Sequence, residues 1–123
     1  MQNSKNKKYD YHIINALKNL PVPFITFDGH KVYFDKDKRH ETIYEHIAYK
    51  KHHLHLIDIM QIPEILKNKK CLKDDRNGVR YRSYIGKRKK QKEKNKYLKI
   101  VTIIKKDKNE SIITICTVKS NSK

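Results

Sequence analysis

The two most β-prone segments, Tyr97–Ile104 and Ser111–Val118, stand close together near the end of the chain, joined only by a polar stretch that contains KKDKNE. β-Branched and apolar residues at this density favour extended backbone, and so short a connection restricts the pair to an antiparallel hairpin. A hairpin must bury one face to be stable, so the rest of the chain has to supply a covering layer.

The residues before it offer that layer. Tyr9 to Leu20 places Ile13, Ile14 and Leu17 at helical spacing, with Asp10 as the N-cap and Pro21 and Pro23 as the stop. Phe24-Ile-Thr-Phe27 and Lys31-Val-Tyr-Phe34 flank Asp28-Gly29 and read as a first hairpin. Asp37 to about Leu54 carries Ile43, Tyr44, Ile47, Ala48 and Leu54 on one helical face, and Asp58 to Lys67 reads as a shorter helix with Asp58 and Gln61 as a capping box. Residues 68 to 79 read as a loop closing on Asn77-Gly78, and Val79 to Ile85 as a strand. The expectation is an α+β domain, with N-terminal helices packed on a C-terminal antiparallel sheet of about four strands. A chain of 123 residues closes one core, expected over residues 9–119, with residues 1–8 a flexible basic N-terminus and 120–123 a tail.

Charge decides the partner class. Thirty Lys and Arg against thirteen Asp and Glu leave +17, and the stretch from Lys67 to Lys108 alone holds eighteen of those bases and four of the acids, or +14. Self-repulsion on this scale is offset most simply by a polyanion, and compositional drift would have spread the charge evenly. Arg80, Tyr81, Arg82 and Tyr84 interleave cations with aromatics just ahead of Lys87, Arg88, Lys89 and Lys90. Arginine forks bind phosphate and tyrosine rings stack on unpaired bases, so Arg80, Arg82, Tyr84 and Lys87 to Lys90, with Lys50 upstream, are the expected RNA contacts. No apolar run approaches the about 20 residues of a membrane span, and no apolar signal core follows the N-terminus, so no membrane partner and a cytoplasmic location are expected. Two cysteines make no disulfide framework, and Cys116 reads as a reduced core residue.

Five of the seven histidines, His40, His46, His52, His53 and His55, lie within sixteen residues. Histidine titrates near neutrality and serves as acid or base, which cleavage of a ribose-phosphate linkage requires. One continuous helix would align His46 and His53 on one face, about 10 Å apart along its axis with Lys50 between them. Zinc is the competing use of the cluster. His52, His53 and His55 lack the i, i+4 spacing of a helical zinc site and the cysteines form no Cys-x-x-Cys pair, so no metal or other cofactor is expected.

Taken in order, Arg39-His40, His46-Ile47, His52-His53, the run DIMQIPEILKN from Asp58 to Asn68, the tyrosine strand and the closing IITICTVK resemble the phage-associated nucleases of the barnase, EndoU, colicin and RelE-like superfamily. The resemblance spans roughly residues 24 to 119. It implies a metal-independent ribonuclease with helices against a four-stranded antiparallel sheet, often deployed as a toxin. Carried over by position, it implies His46 as the helix histidine, His53 as its neighbour, Thr114 as a late-strand hydroxyl, and Lys87 and Arg88 as phosphate clamps. Cys116 stands where members often carry an aromatic residue. The expected activity is endoribonucleolytic, with 2′-hydroxyl attack leaving a 2′,3′-cyclic phosphate, RNA as partner and an acidic antitoxin or immunity protein as inhibitor. The alternatives are a non-catalytic basic nucleic-acid-binding phage accessory protein and a ribosome-dependent mRNA interferase.

Overall fold

A computed structural model describes residues 8–36, 41–90, 94–105 and 109–119. The expected basic N-terminus up to residue 7, His40 and the other residues of 37–40, residues 91–93 of the basic loop and the 120–123 tail lie outside these. The elements run α1 (Tyr11–Lys18), β1 (Phe24–Ile25), β2 (Lys31–Phe34), α2 (Ile43–Ile47), a 3₁₀ turn (Lys50–His52), α3 (Leu56–Met60), α4 (Ile62–Asn68), β3 (Leu72–Arg76), β4 (Val79–Lys87), β5 (Tyr97–Ile104) and β6 (Glu110–Val118). The architecture is α+β, with the helices laid on one face of a six-stranded sheet of order β1-β2-β6-β5-β4-β3.

The expected central hairpin is present: β5 and β6 pair antiparallel from Tyr97↔Val118 to Ile104↔Glu110. Ile112 and Ile115 are both fully buried although three residues apart, which strict alternation forbids. Register passes from Val101↔Thr114 to Thr102↔Ile112, so Ile113 is an extra residue, and this bulge returns Ile112 to the helix-covered face. Leu98, Ile100, Tyr84 and Val32 join them under Ile13, Leu17, Ile43, Ile47, Ile59, Ile62 and Leu66. Each such side chain contributes about 1.5–3 kcal/mol by leaving water.

The sheet departs from the expected four antiparallel strands in two ways. β2 lies parallel to β6, with Val32↔Glu110 and Phe34↔Ile112, so the first hairpin extends the sheet and makes it mixed. The stretch read as loop contains β3, paired with β4 from Leu72↔Ser83 to Arg76↔Val79. Every residue of β3 is exposed, so LKDDR carries no apolar alternation to betray a strand. Its cross-strand pairs Asp75↔Arg80 and Asp74↔Tyr81, and the charges along it, suit an edge that must refuse a further strand. Asn77 and Gly78 both take positive φ, 51° and 77°, the geometry of a tight hairpin turn.

The helices depart too. The segment expected to run unbroken from Asp37 to about Leu54 is broken: among its described residues, 41 onward, the α-helix spans Ile43–Ile47. Thr42 is an extended N-cap whose hydroxyl accepts from Glu45 N–H while the Glu45 carboxylate accepts from Thr42 N–H, a full capping box. α2 ends at Ala48, the 3₁₀ turn follows, and His53 adopts the left-handed region with φ 56°. Asp58 is not an N-cap but the third residue of α3, where its carboxylate accepts from His55 N–H at 2.8 Å. α4 packs on β4 at Gly86, where a Cβ would stand 2.7 Å from Ile65 Cγ1, so glycine is required for this approach. Among the described residues no helix is long and apolar enough to cross a membrane.

Candidate active site

The break after α2 builds the candidate site. Asp10 caps α1 by accepting from the N–H groups of His12 and Ile13, and its own N–H donates to the Ala48 carbonyl at 3.0 Å. This tie, with the Tyr9↔Tyr49 bridge, brings the entrance of α1 against the exit of α2. Tyr9 and Tyr49 rings meet at 6.3 Å, Tyr49 and His52 at 5.5 Å, and His52 and His46 at 5.8 Å, the last two edge to face. The chain has to leave the α-helix after Ile47 for His52 to fold back onto His46, one turn of helix away.

Both rings are anchored through Nδ1. His46 Nδ1 lies 3.0 Å from Glu41 Oε1, and Glu41 Oε2 accepts from the Tyr9 hydroxyl at 2.8 Å. His52 Nδ1 lies 3.1 Å from the Ile47 carbonyl oxygen. A carboxylate and a carbonyl only accept, so Nδ1 carries the proton in both rings, and Nε2 of each is left for chemistry. The His46 and Glu41 side chains are 31% and 24% exposed, enough for a substrate to reach them. Burial raises the Glu41 carboxyl, but the hydrogen bonds from Tyr9 and His46 outweigh it and hold the pKa below its ordinary value. The same contact acts oppositely on Tyr9. Its hydrogen bond to Glu41, with burial and the carboxylate's charge, pushes the phenol up to about 12. Lys50 and Lys51 stand exposed on the turn that carries His52, and the Lys8 ammonium lies 5.5 Å from the Tyr9 ring.

His53 does not share this face: its left-handed backbone follows the 3₁₀ turn, and it makes no ring contact or hydrogen bond through its side chain among the described residues. Thr114 lies elsewhere. It pairs with Val101, next to the buried Ile115 and therefore on the opposite, helix-free face of the sheet. Cys116 shares that face and is half-buried there rather than in the core, a free thiol whose pKa burial pushes up. Tyr84 is fully buried, and its hydroxyl donates to Glu110 Oε2 at 2.6 Å, so it offers no ring to a base.

The basic stretch divides in the same way. Lys87, Lys89 and Lys90 are exposed and Arg80 is exposed at the start of β4. Arg88 is 3% exposed. Its Nε donates to Asp58 Oδ1 at 2.9 Å, Nη2 to Asp58 Oδ2 at 2.6 Å and Nη1 to the Asn95 carbonyl at 2.8 Å. The expected phosphate clamp is a structural tie between α3 and the end of β4. Arg82 is only 11% exposed and faces Glu110 and His30.

Sequence reasoning singled out His46 and Lys50 and did not single out Glu41, Tyr9, Tyr49 or the contact of His52 with His46. One signal was available: Thr42-Ile-Tyr-Glu45 is a capping-box pattern that starts the helix after Glu41. Among the described residues no group of three or more His, Cys, Asp or Glu side chains is arranged to hold a metal ion. No protein-family model, no curated protein and no solved structure matches this chain.

Proposed function

We propose that this chain is a small endoribonuclease that cleaves RNA without a divalent metal, by attack of the ribose 2′-hydroxyl, and that it serves as a toxin. The observation that carries the reading is the pair of half-exposed histidines, His46 and His52, each with Nδ1 tied to an acceptor and the rings 5.8 Å apart. In-line transesterification needs one group to take the 2′-hydroxyl proton and a second to supply a proton to the departing 5′-oxygen. Glu41 behind His46 stabilises the imidazolium formed by proton uptake, so His46 takes the base role and His52 the acid role. The 2′-oxygen bonds to phosphorus as the bond to the 5′-oxygen breaks, leaving a 2′,3′-cyclic phosphate and a 5′-hydroxyl. Lys50 and Lys51, exposed on the turn that carries His52, support the role of cations meeting the phosphorane's charge. The +17 surface, with Lys87, Lys89 and Lys90 exposed on the loop after β4, holds the polyanion. The resemblance of its motif order to that of the barnase, EndoU, colicin and RelE-like nucleases supports the same reading, and so excessive a positive charge suits an acidic antitoxin or immunity protein.

The test is incubation of the purified chain with total RNA in EDTA, with analysis of the ends produced. Fragments ending in 2′,3′-cyclic phosphate are expected. RNA that stays intact, both alone and with translating ribosomes, overturns the enzymatic reading and leaves a nucleic-acid-binding protein.

A further inference from the structure

A second polar centre shares no residue with the histidine pair. Where the β1–β2 turn, the start of β4, the end of β5 and the start of β6 converge, a cavity of about 470 Å³ is lined by His30, Lys31, Arg80, Arg82, Asn109 and Glu110 among others. Its size suits a small organic ligand. At its floor Glu110 is 2% exposed. Oε2 is fully used, accepting from Tyr84 at 2.6 Å and from the Thr102 hydroxyl at 2.7 Å. Oε1 has no hydrogen-bond partner, and it is the single buried side-chain polar atom in that condition among the described residues. An unpaired carboxylate oxygen out of water is costly, and native structures keep such atoms chiefly where something else completes them.

The neighbours stop short of completing it. His30 Nδ1 and Arg82 Nη1 each lie 3.7 Å from Oε1, beyond hydrogen-bond range. They are instead bonded to each other at 3.1 Å, and since a guanidinium only donates, His30 Nδ1 accepts. Asp28 Oδ2 stands 3.8 Å from His30 Nδ1 and 3.9 Å from Arg82 Nη1. The His30 ring is 49% exposed. Around the mouth, Lys31 and Arg80 are exposed, and neither has an ion-pair or hydrogen-bond partner through its side chain among the described residues. The cavity therefore offers an acceptor inside and two unpaired cations outside.

We infer that this cavity binds a nucleotide, with its phosphate on Arg80 and Lys31 and a hydroxyl or N–H donor of its ribose or base on Glu110 Oε1. The complementarity has two ends: phosphate alone satisfies the mouth and leaves Oε1 bare, while an uncharged nucleoside satisfies Oε1 and leaves the cations bare. The inference rests on nucleic acid being the partner and is independent of cleavage.

Calorimetric titration of the intact chain with inorganic phosphate, adenosine and guanosine 5′-monophosphates and the matching nucleosides tests it. At least one nucleotide is expected to bind about tenfold or more tighter than both phosphate and its own nucleoside. Glu110→Gln keeps an oxygen for Tyr84 and Thr102 and presents an NH₂ where Oε1 was. It is expected to weaken the nucleotide by about 10- to 100-fold while leaving phosphate binding intact. Arg80→Ala, at an exposed position that leaves the core untouched, is expected to weaken nucleotide and phosphate alike, and it decides the matter if Glu110→Gln fails to fold. Nucleotide no tighter than phosphate, or nucleotide affinity unchanged in a folded Glu110→Gln or in Arg80→Ala, overturns the inference. Competition by a short oligoribonucleotide would name an RNA chain as the source of the nucleotide, and its absence a free nucleotide. Nucleotide binding with RNA left intact, both alone and with translating ribosomes, sinks the catalytic reading and leaves this one standing, and cleavage without nucleotide binding does the reverse.

Discussion

Replacing Arg88 separates a structural arginine from a phosphate-binding one. In Arg88→Ala the Asp58 carboxylate, fully buried, loses both guanidinium bonds and keeps the His55 N–H, while the Asn95 carbonyl loses its donor. A buried charge stripped of its partner costs about 3–5 kcal/mol, and the missing packing of the arginine stem acts in the same direction. Against a total stability of about 5–15 kcal/mol this is a large fraction. With a urea slope of about 1–3 kcal/mol per molar, the unfolding midpoint falls by about 2 M at an unchanged slope. Arg88→Met with Asp58→Leu should recover part of the loss, because an apolar pair leaves no orphaned charge. Urea unfolding followed by circular dichroism reads the stability, and RNA affinity across a salt series reads the second half. Folded Arg88→Ala keeps the wild-type salt slope, whereas Lys87→Ala lowers it by about one unit. A loss below about 1 kcal/mol together with weakened RNA binding would refute the assignment of Arg88 to the core.

His46→Ala and His52→Ala should each cut RNA cleavage by about 10²-fold or more with little loss of stability, while His53→Ala cleaves as the wild type does; full activity in His52→Ala would return the second role to another residue. Tyr9 titrates about 12 when folded against an ordinary 10.0. The folded state thus holds a proton that the unfolded state releases, so its contribution is complete below pH 10 and is lost as pH rises towards about 12, a slope that Tyr9→Phe should remove from the urea midpoints. Glu41 has the opposite sign: its depressed pKa contributes stability above the unfolded value, and this is lost as pH falls through the folded one, an acid-side slope that Glu41→Gln should flatten. Gly86→Ala should destabilise by about 1–3 kcal/mol in the same unfolding assay, because the new methyl meets Ile65 at 2.7 Å, and a neutral result would mean that α4 shifts freely on the sheet.

What was legible in the sequence was what the core dictates. Ile13, Ile14 and Leu17 mark α1, the Asp10 cap stands where expected, and the β5–β6 hairpin follows from its own composition. The edge strand β3 was illegible because neither of its faces is buried, so nothing forced apolar residues onto it. The Arg88 tie was illegible for a different reason. A lysine-rich run reads as uniformly solvated, and only the position of Asp58, thirty residues away, draws one member inward.

The candidate site was half legible, and the missing half explains why. Helical periodicity pairs residues by angle, so it selected His53, seven residues from His46, and passed over His52. Contact between His46 and His52 depends on the helix ending at Ala48, which in turn depends on Tyr9 and Asp10 binding the exit of α2 from nearly forty residues upstream. No local pattern encodes that tie. The Glu110 cavity likewise assembles the β1–β2 turn and the ends of β4, β5 and β6, which the sequence separates, and its acid sat unnoticed at the head of an apolar strand. In both places a carboxylate orients or faces a histidine, and in both the pairing spans separate elements. A periodic sequence pattern reports which face an element buries, whereas sites made where elements end are specified by what holds those ends together.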